Sequence, residues 1–200
     1  MYINNSDFIS DARAAEIFRS FKEVEWRWKT CVPAVYLLPP DHYAVGRCEQ
    51  NRFFQTAADV YVFVRENDRD ADLVSTFVHE LAHAIQCRQS VVINHSLVFF
   101  LMLVGMQEDR NAVLIEEPED RVLDELCHQK GWPRGLVREF IVDQSEQLSR
   151  RRHYLHLYNN AVSIAAQFER SFTCNKNHRS TNSLNNKKRS QKSWLRLLLS

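Results

Sequence analysis

The chain has no pair of cysteines at Cys-x-x-Cys spacing. Its five cysteines, Cys31, Cys48, Cys87, Cys127 and Cys174, are odd in number and widely separated. That argues against a disulfide framework and a ribbon-type zinc site, and it is the pattern expected of reduced thiols in a cytoplasmic protein. A basic segment followed by an apolar run is missing from the start, where Met1-Tyr2-Ile3-Asn4-Asn5-Ser6-Asp7 stands, so no secretory leader is read there. Long apolar runs are missing too. The longest, Leu97 to Met106, is about half of what a membrane-spanning helix needs and reads as a buried helix. Finally, negative charge is missing after Glu169. Arg170, Lys176, Arg179, Lys187, Lys188, Arg189, Lys192 and Arg196 follow it, leaving 18 basic against 25 acidic residues in the body, a net of −7 under an overall +1.

What remains is 200 residues with 44% apolar content, enough for one domain with a substantial core and a tail. Residues 7–24 place Ala14, Ile17, Phe18, Phe21 and Val24 at three- and four-residue intervals, the period of an amphipathic helix that covers a sheet. Trp26 and Trp28, beside its end, read as core. Strand signals follow in Ala34 to Leu38, stopped by Pro39-Pro40, in His42 to Cys48, and in Val60 to Val64. Three short strands in succession predict a small twisted, mainly antiparallel sheet.

After an acidic turn in which Asp70 or Asp72 can cap the next helix, Leu73, Val74, Phe77, Val78, Leu81, Ala82 and Ile85 make that helix apolar over most of its circumference. Within it lies His79-Glu80-Leu81-Ala82-His83. Two imidazoles four positions apart share one helix face and can bind one zinc ion, and Glu80 is a candidate general base. A shuffled chain of this composition would contain the pattern about one time in fifty, so its context carries the weight. Histidines and a carboxylate on a buried helix are costly without a partner, and a metal ion is such a partner.

A catalytic zinc usually takes a third protein ligand. Gln86 and Gln89 stand where the short metzincin extension needs Gly and His, and Met102 stands where the common aminopeptidase spacing needs Glu. His95 lies twelve residues beyond His83, after a polar loop and before a helix over 96–106. From 34 to 106 the chain resembles the SprT-like zinc metalloproteases, the family of the Spartan protease domain. There HExxH is followed by a His that opens a helix, usually as His-Gly-x-x-Phe/Trp. Here the segment reads His95-Ser96-Leu97-Val98-Phe99. A second resemblance is to ImmA/IrrE-like metallopeptidases, through residues 116–127 (EEPEDRVLDELC) and Leu136 to Leu155. It implies Glu116 or Glu117 as the third ligand. The same stretch also reads as a well-capped helix, with Pro118 at its start and Gly131 past its end.

Residues 134–170 read as helical, with Leu136, Val137, Phe140, Ile141, Leu148, Leu155, Val162, Ile164 and Phe168 on core faces, and Arg150-Arg151-Arg152 as a solvated face. Tyr154, His156 and Tyr158 are candidates to stabilise an oxyanion, and spacing singles out none of them. The Ser-, Asn- and Lys-rich end reads as disordered, with a basic character suited to nucleic acid.

The expectation is therefore an α+β, zincin-like metalloprotease domain over 1–170, with an active-site helix and additional C-terminal helices, and a basic disordered tail over 171–200. Zinc is held by His79, His83 and His95, with Glu80 catalytic. The substrate is a protein or peptide, and the SprT resemblance implies proteins associated with DNA. Two alternatives stay open: a regulatory ImmA-like peptidase cutting a repressor or partner, and a non-enzymatic zinc or nucleic-acid-binding module.

Overall fold

The computed structural model describes residues 1–53, 56–107 and 119–179. In chain order the elements are β1 (Tyr2–Asn4), α1 (Asp11–Trp28), β2 (Val35–Leu38), β3 (Gly46–Gln50), β4 (Ala58–Phe63), α2 (Asp70–Arg88), α3 (Leu97–Met106), α4 (Glu119–Lys130), α5 (Arg134–Ser149) and α6 (Tyr154–Arg179). The chain divides into two compact units, Met1–Ala161 and Val162–Ser200, with the division inside α6. Mixed helix and sheet is the α+β class expected, and no described helix is long and apolar enough to cross a membrane.

The sheet differs from the mainly antiparallel one expected. Its strand order is β1-β2-β4-β3, and only β3 with β4 is antiparallel; β1 with β2 and β2 with β4 run parallel. One cause is β1, whose three residues carry too little periodicity to announce a strand. With β1 in place, α1 is a crossover that returns the chain to the sheet in the same direction, as parallel neighbours require. β4 then enters between β2 and β3, leaving β3 at the edge.

Helix α1 starts at Ser10, whose hydroxyl accepts from the Arg13 N–H at 3.3 Å, and ends at Lys29 in a left-handed conformation with φ 50°. Its buried stripe is Ala14, Ile17, Phe21, Val24, Glu25 and Trp28. Trp26 falls off that stripe and is exposed, against the expectation for it; Trp28 is core. The buried Glu25 accepts from the Val32 N–H at 2.7 Å and from the Tyr2 hydroxyl, tying the helix to β1 and to the chain's return into β2.

Val35, Leu37, Val60 and Val62 are fully buried on one sheet face, and the pairing register puts Gly46 and Cys48 on that same face. Helix α2 packs there, against β3 and β4, and Phe21 of α1 stacks on its Phe77 with centroids 4.2 Å apart. The cap of α2 is Arg69, not Asp70 or Asp72. Asp72 instead reaches back one turn, accepting from the Arg69 N–H at 3.1 Å and pairing with its guanidinium, while Asp70 pairs with Arg13 at 2.7 Å.

Beyond α2 lies α3, buried at every position except Val98, and α5 packs on α3 in turn. The contact is close because Gly105 has no side chain. A Cβ there would lie 2.9 Å from Leu148 Cβ and 2.9 Å from Leu157 Cδ1. Leu148 is in α5 and Leu157 in α6, so the helical stretch from 134 is two helices. One straight rod at about 1.5 Å per residue would carry these leucines about 14 Å apart, too far to meet one glycine. At the break, Arg150, Arg151 and Arg152 are exposed, as expected of a solvated segment, whereas Leu155 and Val162 are exposed against expectation. Gly131, with φ 63°, ends α4 as its position suggested. Helix α6 continues to Arg179, nine residues into the stretch expected to be disordered. No proline or glycine interrupts 154–179, and extending an existing helix adds one hydrogen bond per residue fixed.

Candidate metal centre

Helix α2 brings His79 and His83 to one face, a turn apart. The chain then leaves the helix through a short loop in which Ser90 takes a left-handed φ of 57°, and it returns with His95 immediately before Ser96, the cap of α3. Ser96 has φ −79° and its hydroxyl accepts from the Phe99 N–H at 3.5 Å, so the position where SprT-like proteins usually carry glycine needs no glycine here. The three histidines expected to bind a metal are thereby brought together. His95 Nε2 lies 3.2 Å from His79 Nε2 and 3.2 Å from His83 Nε2, and the three possible ligand atoms lie within 4.8 Å of one another.

Those distances are informative. Two metal–nitrogen bonds of about 2.0–2.1 Å at a tetrahedral angle set their nitrogens about 3.3–3.4 Å apart. At these separations neither pair of ring nitrogens can carry two protons, so at least one of the three presents a lone pair to the cluster, as a nitrogen ligand for a cation must. His83 is neutral by environment. Burial first, then His79, push its imidazole down to about 3, with the hydrogen bond to Gln86 pulling the other way and His95 adding a smaller push. Under the cluster lies Phe99, fully buried. Its ring stacks on His83 at 4.4 Å between centroids and meets His95 edge-on at 4.8 Å and His79 at 4.9 Å. An apolar floor lowers the local dielectric and strengthens any charge interaction at the site.

Glu80 is buried on α2, and it lies against the edge strand β3. A Cβ at Gly46 would stand 2.7 Å from Glu80 Oε1, 2.9 Å from Glu80 Cγ and 2.7 Å from Thr76 Cγ2. Gly46 thus makes room for the Glu80 carboxylate by what it lacks. Cys48, two residues on and on the same face, has its thiol pushed up by burial and then by the Glu80 carboxylate.

Among the described residues the metal-capable cluster consists of His79, His83 and His95. Glu116 and Glu117 lie outside the described residues. Tyr154 is engaged elsewhere: its ring carries the Arg88 guanidinium at 4.9 Å and stacks on His153. Sequence reasoning missed two contributors. Gln86, buried on α2, bonds to His83 Nδ1 at 3.0 Å, and Gly46 makes room for Glu80. A glutamine three residues past a suspected ligand is at helical contact distance, and that spacing is the signal that could have found it. No signal in the sequence pairs residue 46 with residue 80. Comparison with family models, with curated proteins and with solved structures finds no match for this chain.

Proposed function

We propose that this protein is a zinc-dependent endopeptidase whose metal is held by His79, His83 and His95 and whose general base is Glu80. The observation that carries the reading is that His95 Nε2 lies 3.2 Å from both His79 Nε2 and His83 Nε2, with a buried carboxylate on the residue next to His79. Three neutral nitrogen donors suit zinc, and a three-ligand site leaves a coordination position for water, as catalytic zinc sites do. Zinc bound there would polarise a carbonyl and lower the pKa of a bound water. Glu80 is the residue that would take a proton from such a water and pass it to the leaving amine. Burial of Glu80 between α2 and Gly46 fixes where the carboxylate can reach, which favours a positional role over a solvated surface one.

The edge strand supports a polypeptide substrate. The Val45 carbonyl accepts from the Phe63 N–H at 3.0 Å, so by the alternation of an antiparallel pair Arg47 and Glu49 bond towards β4. The main-chain groups of Gly46 and Cys48 then face away from the sheet. An extended chain adding to this edge would pass the Glu80 carboxylate. The resemblance to SprT-like proteases over 34–106 suggests proteins bound to DNA as substrates, with the basic segment after Glu169 attracted to the phosphates.

The reading is tested by elemental analysis of the purified protein together with cleavage of an unfolded protein such as casein. Wild-type protein carries zinc and cuts, and Glu80→Gln keeps the zinc and loses the cutting. Absence of zinc, or cleavage that survives Glu80→Gln, overturns the enzyme reading.

A further inference from the structure

One buried amide touches both halves of the histidine cluster. Gln86, 2% exposed, sits on α2 one turn after His83, facing the loop that carries His95. Its side chain makes three hydrogen bonds. Gln86 Nε2 donates to the Asn94 carbonyl at 3.0 Å, the Asn94 N–H donates to Gln86 Oε1 at 3.3 Å, and His83 Nδ1 lies 3.0 Å from the same oxygen. The Gln86 main-chain carbonyl holds the same loop from below, accepting from the Gln89 and Val91 N–H groups at 3.0 and 3.3 Å.

These bonds determine one another. The main chain of Asn94 offers one N–H and one C=O, and a peptide group cannot exchange them. The Gln86 amide therefore has a single orientation, with oxygen towards the Asn94 N–H and nitrogen towards the Asn94 carbonyl. With that oxygen fixed as an acceptor, His83 Nδ1 must be the donor, and His83 carries its proton there. His83 Nε2 is then a bare lone pair, and it is the atom that faces His95 Nε2. The same two bonds to Asn94 pin the residue immediately before His95. Gln86 thus sets the tautomer of one ligand and the position of another.

We infer that Gln86 is a positioning residue for the metal centre, orienting His83 and anchoring the loop that delivers His95. The inference rests on the proposed three-histidine site. Groups that orient ligating histidines typically contribute 10- to 100-fold to metal affinity. Methionine at 86 keeps the length and apolar bulk of the side chain and removes both its donor and its acceptor. Glutamate keeps the acceptor for His83 Nδ1 and sets a second oxygen against the Asn94 carbonyl.

The test measures zinc affinity by chelator competition, and the ring-nitrogen NMR shifts of His83 in metal-free protein, for wild type, Gln86→Met and Gln86→Glu. Circular dichroism and thermal melts establish that each variant is folded. The expected result is a 10- to 100-fold weaker zinc affinity for Gln86→Met, with His83 no longer held as the Nδ1–H tautomer. Gln86→Glu retains that tautomer and shows a smaller loss. A merely structural glutamine would lower the melting temperature while the folded variant kept wild-type affinity and ring shifts. Wild-type zinc affinity, or an unchanged His83 tautomer, in folded Gln86→Met overturns the inference. If wild-type protein itself binds no zinc, the site reading fails, and the ring shifts still decide whether Gln86 orients His83.

Discussion

Adding one methyl group at Gly46 separates the role of Glu80 from the role of the histidines. In Gly46→Ala the new Cβ falls 2.7 Å from Glu80 Oε1 and 2.7 Å from Thr76 Cγ2. Both distances are far inside van der Waals contact. The Thr76 methyl can leave only by a change of χ1 rotamer, so the strand lifts, Thr76 turns or the Glu80 carboxylate leaves its place. Overpacking of this size costs about 1–3 kcal/mol. For a chain of this length that corresponds to a fall in Tm of roughly 2–12 °C, at about 2–4 °C per kcal/mol. His79 and His83 point from α2 towards His95 and Phe99 and not towards Gly46, so zinc affinity should stay within about threefold of wild type, well short of the 10- to 100-fold that follows loss of a ligand's support. Differential scanning calorimetry, chelator competition and casein cleavage together read the three quantities. The expected pattern is a moderately destabilised protein that keeps its zinc and loses most of its activity. A variant as stable and as active as wild type would refute the placement of Glu80 beneath the edge strand.

Three further outcomes follow from the same geometry. Phe99→Ala removes a fully buried ring from beneath all three histidines; it should cost about 3–5 kcal/mol in urea unfolding and weaken zinc binding as well, and unchanged zinc affinity would mean the floor is irrelevant to the site. In metal-free protein the folded His83 has a lowered pKa, so the unfolded chain binds its proton first; stability contributed by neutral His83 is complete above about pH 6.5 and is lost as pH falls towards about 3. The slope reaches about 1.4 kcal/mol per pH unit, and urea titrations of His83→Leu should show it reduced. Ser96→Ala removes the cap of α3 and should cost about 0.5–2 kcal/mol, whereas Ser96→Gly should cost only a few tenths; equal losses would argue against the capping role.

The parts of the fold that the sequence announced are those carried by a strong local period. Helix α2 is legible because apolar residues cover nearly all of it, and α3 because ten residues in succession are apolar. The gathering of His95 with His79 and His83 was legible because a short loop between two buried helices leaves few places for its last residue. Strand β1 was not, because three residues of mixed polarity become a strand only through pairing with β2. Missing it hid one of the two parallel pairs; the other, β2 with β4, follows from β4 entering between β2 and β3. Trp26 illustrates the same limit: its exposure depends on how far α1 continues, and a helix ending two residues earlier would have turned it differently. The neighbours of the site were hidden for another reason. Gln86 counted in the sequence only as evidence against one ligand pattern, and its role depends on the main chain of Asn94. Gly46 matters for an atom it does not have, and only the packing of β3 on α2 places residue 46 over residue 80.

The central claim is that His95 completes a zinc site begun by His79 and His83. Zinc content of purified protein, measured for wild type, His95→Ala and the double variant Glu116→Gln/Glu117→Gln, tests it most directly. The account predicts about one zinc per chain in wild type and in the glutamine double variant, and little or none in His95→Ala. Full zinc in His95→Ala, with loss in the double variant, would contradict it.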